Sequence, residues 1–258
     1  MESARPVNPF RQFDRKVDAY IRHRWSYAPE AIETIFERAP LGIASTVVDM
    51  AAGPGTLAQP FVGRVGEVWA IEPNAEMREV AEQLLGHEST FRSASGLSHE
   101  TGLPAHAVDL ILVGRALHWF DPTPTRQEFL RILKPGGWLA VLQTPCTNPE
   151  LLNAIAKLRR EYYGWSIKTD KHNRTKTPAA FFFGHEQFET LMFSTIVEET
   201  WLDFLGRLVS FSPAPGKAHP LRSRFEAGAR EIFEQFKEGD RLYIPMATEL
   251  KLGQVRST

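Results

Sequence analysis

The sequence predicts an α/β fold: a mostly parallel sheet with helices on both faces, an N-terminal helical cover and an inserted cap. Three observations predict it. From Thr46 to Gln143 short apolar runs (TVVDM, EVWAI, VDLILV, WLAVLQ) alternate with amphipathic or breaker-bounded stretches, the rhythm of βαβ units. The first run ends in an acidic residue and a small-residue turn and the second in a glutamate, at the strand ends where open α/β sheets bind ligands. A chain of 258 residues, 43% hydrophobic and 24% charged, has the composition of a folded domain and can bury a core without disulfides or metal.

Ile32, Ile35, Phe36 and Ala39 recur at helical spacing; Pro29 suits the first turn of that helix and Pro40 stops it. After the first two strand runs a helix is predicted over 75–85, with Asn74 as cap, Met77, Val80, Ala81 and Leu84 as its inner face, and Gly86 at C′. A second, capped by Asp121, runs to Leu133 and stops at the LKPGG turn, 133–137. Beyond Pro149 the alternation is lost. A helix-like LLNAIAKLRREYYGW leads into the basic SIKTDKHNRTKT and an aromatic patch at Phe181–Phe183, which together read as an insertion. LMFSTIVEETWL (191–202) has strand character, 212–220 is breaker-rich and 221–237 is helical. Alternating Leu242, Ile244 and Met246, resuming at Leu250 and Leu252, predict a strand with one buried face. Neither repeat nor linker divides the chain, so one domain is expected over 1–258: helical cover 1–39, ligand-binding core 40–145, capping insertions 146–190 and 203–240, and sheet-completing runs 191–202 and 241–253.

Thirty Lys+Arg against 31 Asp+Glu leave a formal net charge of -1, so no basic field recommends nucleic acid or an anionic membrane. The longest apolar stretch, near Val108–Val113, is far too short to cross a bilayer, and MESARPVNPFRQFDRK lacks the apolar core of a signal peptide. Cys146 is the only cysteine; it permits no internal disulfide, no Cys/His cluster has zinc spacing, and it reads as a small hydrophobe. The expectation is a cytoplasmic protein, monomer or homodimer, acting on a small molecule, with no nucleic acid, membrane or metal. The Asn173-Arg174-Thr175 sequon reads as chance.

The chemistry lies at the ends of the first two strands. Asp49 precedes the small-residue turn Ala51-Ala52-Gly53-Pro54-Gly55, where a ligand can approach the backbone, and Glu72 closes the second strand, where a carboxylate can accept from both hydroxyls of a ribose. A dinucleotide site needs G-x-G-x-x-G leading onto a helix N-terminus that meets pyrophosphate. This chain has A-A-G-P-G-T, and Asp49 would repel pyrophosphate but attract an ammonium group. The signs favour an adenosine bearing a cationic amino-acid tail.

The segments VVDMAAGPGT, AIEPNAEM, TGLPAHAVDLILVGRALHWFD and RILKPGG resemble the class I S-adenosylmethionine-dependent methyltransferases, particularly the small-molecule branch with an HWFD motif after the fourth strand. The likeness runs over roughly residues 15–145, and more loosely through SFSPAP and LYIPMATEL. It implies a Rossmann-like class I methyltransferase fold with a seven-stranded sheet, using S-adenosylmethionine and leaving S-adenosylhomocysteine. It places the turn with Ala51, Gly53 and Gly55 on the methionine portion, Asp49 at the amino group, Glu72 at the ribose and Pro73 and Met77 beside the adenosine. Leu97 and Ser98 then meet adenine, Gly114 and Arg115 border the sulfonium, and Tyr27, in Arg24-Trp25-Ser26-Tyr27-Ala28-Pro29, belongs to an element that closes over the cofactor. Two departures are visible. Ala51 stands where the family has its first glycine, which a mild turn tolerates, and Leu97-Ser98-His99 replace an acidic residue followed by Ala-Glu, leaving adenine to backbone and apolar contacts.

Displacement at an activated methyl needs alignment of the acceptor and exclusion of water, and a base only if the acceptor must lose a proton. His118, with an ordinary pKa of about 6.5, is either that base or, with Trp119, a wall; Trp25, Arg115 and Tyr163 are predicted to line the same acceptor pocket. Residues 157–176 hold seven basic side chains against two acidic, either a solvated face or a lid that attracts a carboxylate, as Arg115 can from within. Tyr162, Tyr163, Trp165 and Phe181–Phe183 point instead to an apolar acceptor. The predicted activity is methyl transfer to an oxygen, nitrogen or carbon of a small metabolite. Two other readings stay open: an NAD-type oxidoreductase, and a module that binds the cofactor without catalysis.

Overall fold

The structure, a computed structural model, describes residues 27–162, 177–209, 214–216 and 218–257. Its contacts fall into two compact units. The first takes its described residues from Ser26–Pro149, Ser166–Val197 and Ile244–Thr258, the second from Glu150–Trp165 and Glu198–Tyr243.

In the first unit Pro29 opens α1 (Pro29–Arg38), which buries Ala31, Ile32 and Ile35. The strands β1 (Thr46–Met50), β2 (Glu67–Ile71), β3 (Phe91–Ala94), β4 (Val108–Gly114) and β5 (Leu133–Gln143) follow, with α2 (Ala75–Leu85) between β2 and β3 and α3 (Pro122–Ile132) before β5. After α4 (Pro149–Tyr162) and the short α5 (Ala179–Phe183) come β6 (Glu189–Glu199), α6 (Trp201–Val209), α7 (Arg222–Phe236) and β7 (Leu242–Gln254). The sheet has seven strands in the order β3-β2-β1-β4-β5-β7-β6. β1 to β5 pair in parallel and β7 runs antiparallel to β5. The order reverses between β1 and β4, which fixes where a ligand site forms.

The central strands are apolar almost throughout because both faces are covered. Val47, Leu110 and Leu112 share one face with Ile32 and Ile35 of α1 and Ala81 and Leu85 of α2. Val48, Met50, Ile111 and Val113 share the other with Phe129 and Ile132 of α3 and with Phe182 and Phe183 of α5. Those two phenylalanines are fully buried and complete the core rather than line an acceptor pocket; Phe182 lies 6.2 Å from the Phe129 ring and Phe183 stacks on Phe188 at 4.4 Å. The second unit buries Leu151, Ile155 and Leu158 of α4 with Phe225, Ala229, Ile232 and Phe233 of α7, and a close ion pair joins Arg207 to Glu199 at 2.6 Å.

Four local expectations need correction. In α2 the inner face ends with Leu85, four residues after Ala81, while Leu84 is 44% exposed. Gly86 has a right-handed backbone at φ -66; glycine is required there because a Cβ would strike the Glu82 carbonyl. Asp121 occupies the N-cap position of α3, yet its side chain makes no cap hydrogen bond. The strand predicted at 191–202 ends at Glu199, and Trp201 begins α6. Among the described residues no helix is long and apolar enough to cross a membrane, and no cluster of metal-ligating side chains occurs.

Candidate cofactor and acceptor site

The site is built where β1, β2 and β4 end side by side. Asp49 sits on β1 in register with Ala70 of β2 and Leu112 of β4, and only 1% of it is exposed. Its Oδ2 has no hydrogen-bond partner. Burial is the largest influence on this carboxyl and raises it to about 8; a hydrogen bond from the Ala58 backbone lowers it, Glu72 raises it and Arg115 lowers it. A carboxyl in a dry pocket disfavours its charged form unless a cation arrives.

The turn after β1 is strained as well as small. Ala51 has φ 55, Gly53 φ 57 and Gly55 φ 81, so the turn is left-handed at Ala51 rather than mild, and alanine bears about 1 kcal/mol there that glycine would avoid. Gly55 has a second constraint, because a Cβ would lie 2.8 Å from Leu85 Cδ1.

Glu72 is 8% exposed and already oriented. One carboxylate oxygen accepts from Gly53 N and the other from Asn74 N, both at 2.9 Å, while Arg78 Nη1 donates to the Glu72 carbonyl at 2.8 Å. Each carboxylate oxygen keeps a further lone pair for an incoming hydroxyl. Sequence reasoning singled out Glu72, Gly53 and the cap Asn74, but not that Gly53 and Asn74 hold the Glu72 carboxylate; they do so through backbone N–H groups, which residue type does not reveal. Pro73 is exposed and Met77 half-buried beside them.

Next to β2, Leu97 and Glu100 exchange backbone hydrogen bonds, and a Cβ on Gly96 would lie 2.9 Å from Ile71 Cγ2. Leu97 is 45% exposed. The Ser98 hydroxyl is tied to that of Thr125 at 2.8 Å.

At the end of β4 a Cβ on Gly114 would collide with the Tyr27 hydroxyl, so the glycine admits the tyrosine. Arg115 follows with φ 57, its N–H donating to the Leu142 carbonyl at 2.9 Å. Its guanidinium lies 4.8 Å from the centre of the Tyr27 ring, with Nη1 3.5 Å from Thr144 Oγ1. A non-glycine residue held in this conformation is the strain functional sites store. His118 and Trp119 lie one turn on, rings 4.9 Å apart; His118 is half-buried and Trp119 56% exposed. Arg160 is exposed on α4. Trp25 and Tyr163, both assigned to the acceptor pocket, lie outside the described residues, as do Trp165, most of the basic stretch and the sequon. Cys146 is half-buried.

Residues 48–141 match a family model described as a methyltransferase domain. The chain is 37% identical over 146 residues to an uncharacterized methyltransferase of Mycobacterium tuberculosis, covering 57% of this chain and 56% of that protein. It is 33% identical over 114 residues to a trans-aconitate 2-methyltransferase of Azoarcus sp., covering 43% and 44%. The chain thus spans about half the length of the curated relatives it matches. A solved structure from Anaeromyxobacter dehalogenans, described as a type II methyltransferase, is 19% identical; the alignment covers 90% of this chain and 97% of that one at a TM-score of 0.64. The fold is the Rossmann-like class I methyltransferase fold.

Proposed function

We propose that this chain, which resembles methyltransferases through residues 48–141, moves a methyl group from S-adenosylmethionine to a small metabolite. The observation that carries the reading is the buried Asp49 carboxyl, its Oδ2 without a hydrogen-bond partner, near the pre-oriented Glu72, at the point where strand order reverses. One group fits an ammonium and the other a pair of hydroxyls, as an amino-acid-bearing nucleoside requires. The cofactor, when bound, supplies a methyl already activated on a sulfonium. The chain's own residues then bind and orient: Asp49 the ammonium, Glu72 the ribose, the 51–55 turn the methionine backbone, Leu97 and Ser98 the adenine edge.

For the acceptor we favour a carboxylate-bearing metabolite. Arg115 sits at the end of β4 with its guanidinium fixed against Tyr27 and Thr144, and a fixed planar fork suits a carboxylate. The Azoarcus relative is itself named for a carboxylate substrate. His118 then walls the pocket, because a carboxylate acceptor has no proton to lose at neutral pH; an acceptor bearing a hydroxyl or amine would use it as base. Incubation with S-adenosylmethionine and two panels, small carboxylic acids and neutral aromatics, tests this. S-adenosylhomocysteine should accumulate with an acid. Accumulation only with neutral compounds would overturn the acceptor class, and cofactor binding with no turnover of any compound would favour a non-catalytic module.

A further inference from the structure

We propose that Asp49 carries a proton while the site is empty and surrenders it when an ammonium group binds, so that cofactor capture exchanges a proton for a cation. The inference rests on the reading of the site given above. Asp49 lies inside the sheet layer, in register between Ala70 and Leu112, on the face where Ala52, Leu57 and Ala58 are buried. The Ala58 N–H reaches the carboxyl while Oδ2 has no donor. Two charged groups face it from neighbouring elements. Glu72, at the end of β2, has the same sign; Arg115, beyond β4, has the opposite sign but is directed to Tyr27 and Thr144. A carboxyl so short of donors, out of water and beside another carboxylate keeps its proton, in agreement with its rise to about 8.

An arriving ammonium supplies both missing things, N–H donors and a positive charge. The O–H bond of the carboxyl breaks, its proton passes to solvent, and the carboxylate accepts N–H from the ammonium. A neutral acid and a cation thus become an ion pair and a released proton, and charge balances. Glu72 is built differently, since both its oxygens already accept backbone N–H groups.

The consequence is thermodynamic linkage. From about pH 7 downward nearly one proton should leave per ligand bound, and affinity should improve about tenfold per pH unit as pH rises. An adenosine compound with no ammonium should release none.

Calorimetric titration of S-adenosylhomocysteine in two buffers of different ionisation enthalpy counts the protons, with 5′-methylthioadenosine, which lacks the amino-acid tail, as the control. The expected result at pH 6.5 is about one proton released with the first ligand and none with the second, and Kd for the first should fall about tenfold between pH 6 and pH 7 while the second stays flat. Asp49→Asn should abolish the proton release and the slope yet still bind 5′-methylthioadenosine. The wild-type proton count decides the matter if that variant does not fold. S-adenosylhomocysteine binding with no proton release and a flat profile would overturn the exchange and leave the cofactor reading standing; binding of neither compound would overturn both.

Discussion

Asp49, buried and without a partner at Oδ2, weighs against the stability of the empty fold at neutral and higher pH. A carboxyl that titrates at about 8 when folded and near 3.8 when unfolded gives its full contribution to stability below about pH 4 and loses it as pH rises toward 8. Asn does not titrate, so Asp49→Asn should melt above wild type in the absence of ligand at pH 8.5, with the gap narrowing toward pH 6; thermal melts across that range would contradict this if wild type melted higher throughout. Ala51 is a second such site, and Ala51→Gly should be neutral or gain up to about 1 kcal/mol in urea unfolding, because glycine takes φ 55 without strain. His118→Ala separates wall from base: with a carboxylate acceptor turnover should fall only modestly and independently of pH, whereas a loss of about 100-fold or more with an altered pH profile would make it the base. At this scale the placement of Asp49 and Glu72 near the ends of adjacent strands was legible from the apolar runs that precede them. The open Oδ2 and the grip of Gly53 and Asn74 on Glu72 were not, because they depend on backbone geometry.

Helices and strands in the core were legible because their faces follow fixed periods. α2 begins where Asn74 accepts from Met77 N, and α1 begins at Pro29. Misjudgements fell where burial competes with local pattern. FFF at 181–183 left open whether these rings line a pocket, because aromatic clusters serve either role; Phe182 and Phe183 are buried in the core, Phe182 against Phe129, while Phe181 stays exposed. No sequence signal revealed Glu128, which faces inward from α3. It accepts from Thr101 N at 3.0 Å and pairs with Arg131 at 2.6 Å. Burial pushes its carboxyl up, but the Arg131 and Thr101 hydrogen bonds outweigh burial and hold it at about 2. Its contribution is therefore present above about pH 4.5 and lost as pH falls toward 2. Glu128→Gln should cost about 2 kcal/mol at pH 7, measured by urea unfolding, with the difference shrinking in acid; equal stability at pH 7 would show that the network adds nothing.

At the scale of the fold, the sheet places Asp49, Glu72 and Arg115 at or beyond the C-terminal ends of neighbouring strands. β1, β2 and β4 are hydrogen-bonded neighbours, so Asp49, Glu72 and Arg115, separated by 23 and 43 positions in the sequence, come together through strand order alone. Parallel alternation made this order predictable, whereas the partition of the later elements into a second unit follows long-range contacts that no local pattern encodes. The most direct test is calorimetric titration of S-adenosylmethionine, with NAD as comparison, into wild type and Glu72→Ala. Removing the carboxylate takes away the group proposed to accept the ribose hydroxyls and leaves the Gly53 and Asn74 N–H groups without their partner. One equivalent should bind to wild type, at least about tenfold more weakly to the variant, and NAD should not bind. Equal affinity in the two proteins, or binding of NAD in place of S-adenosylmethionine, would contradict the site.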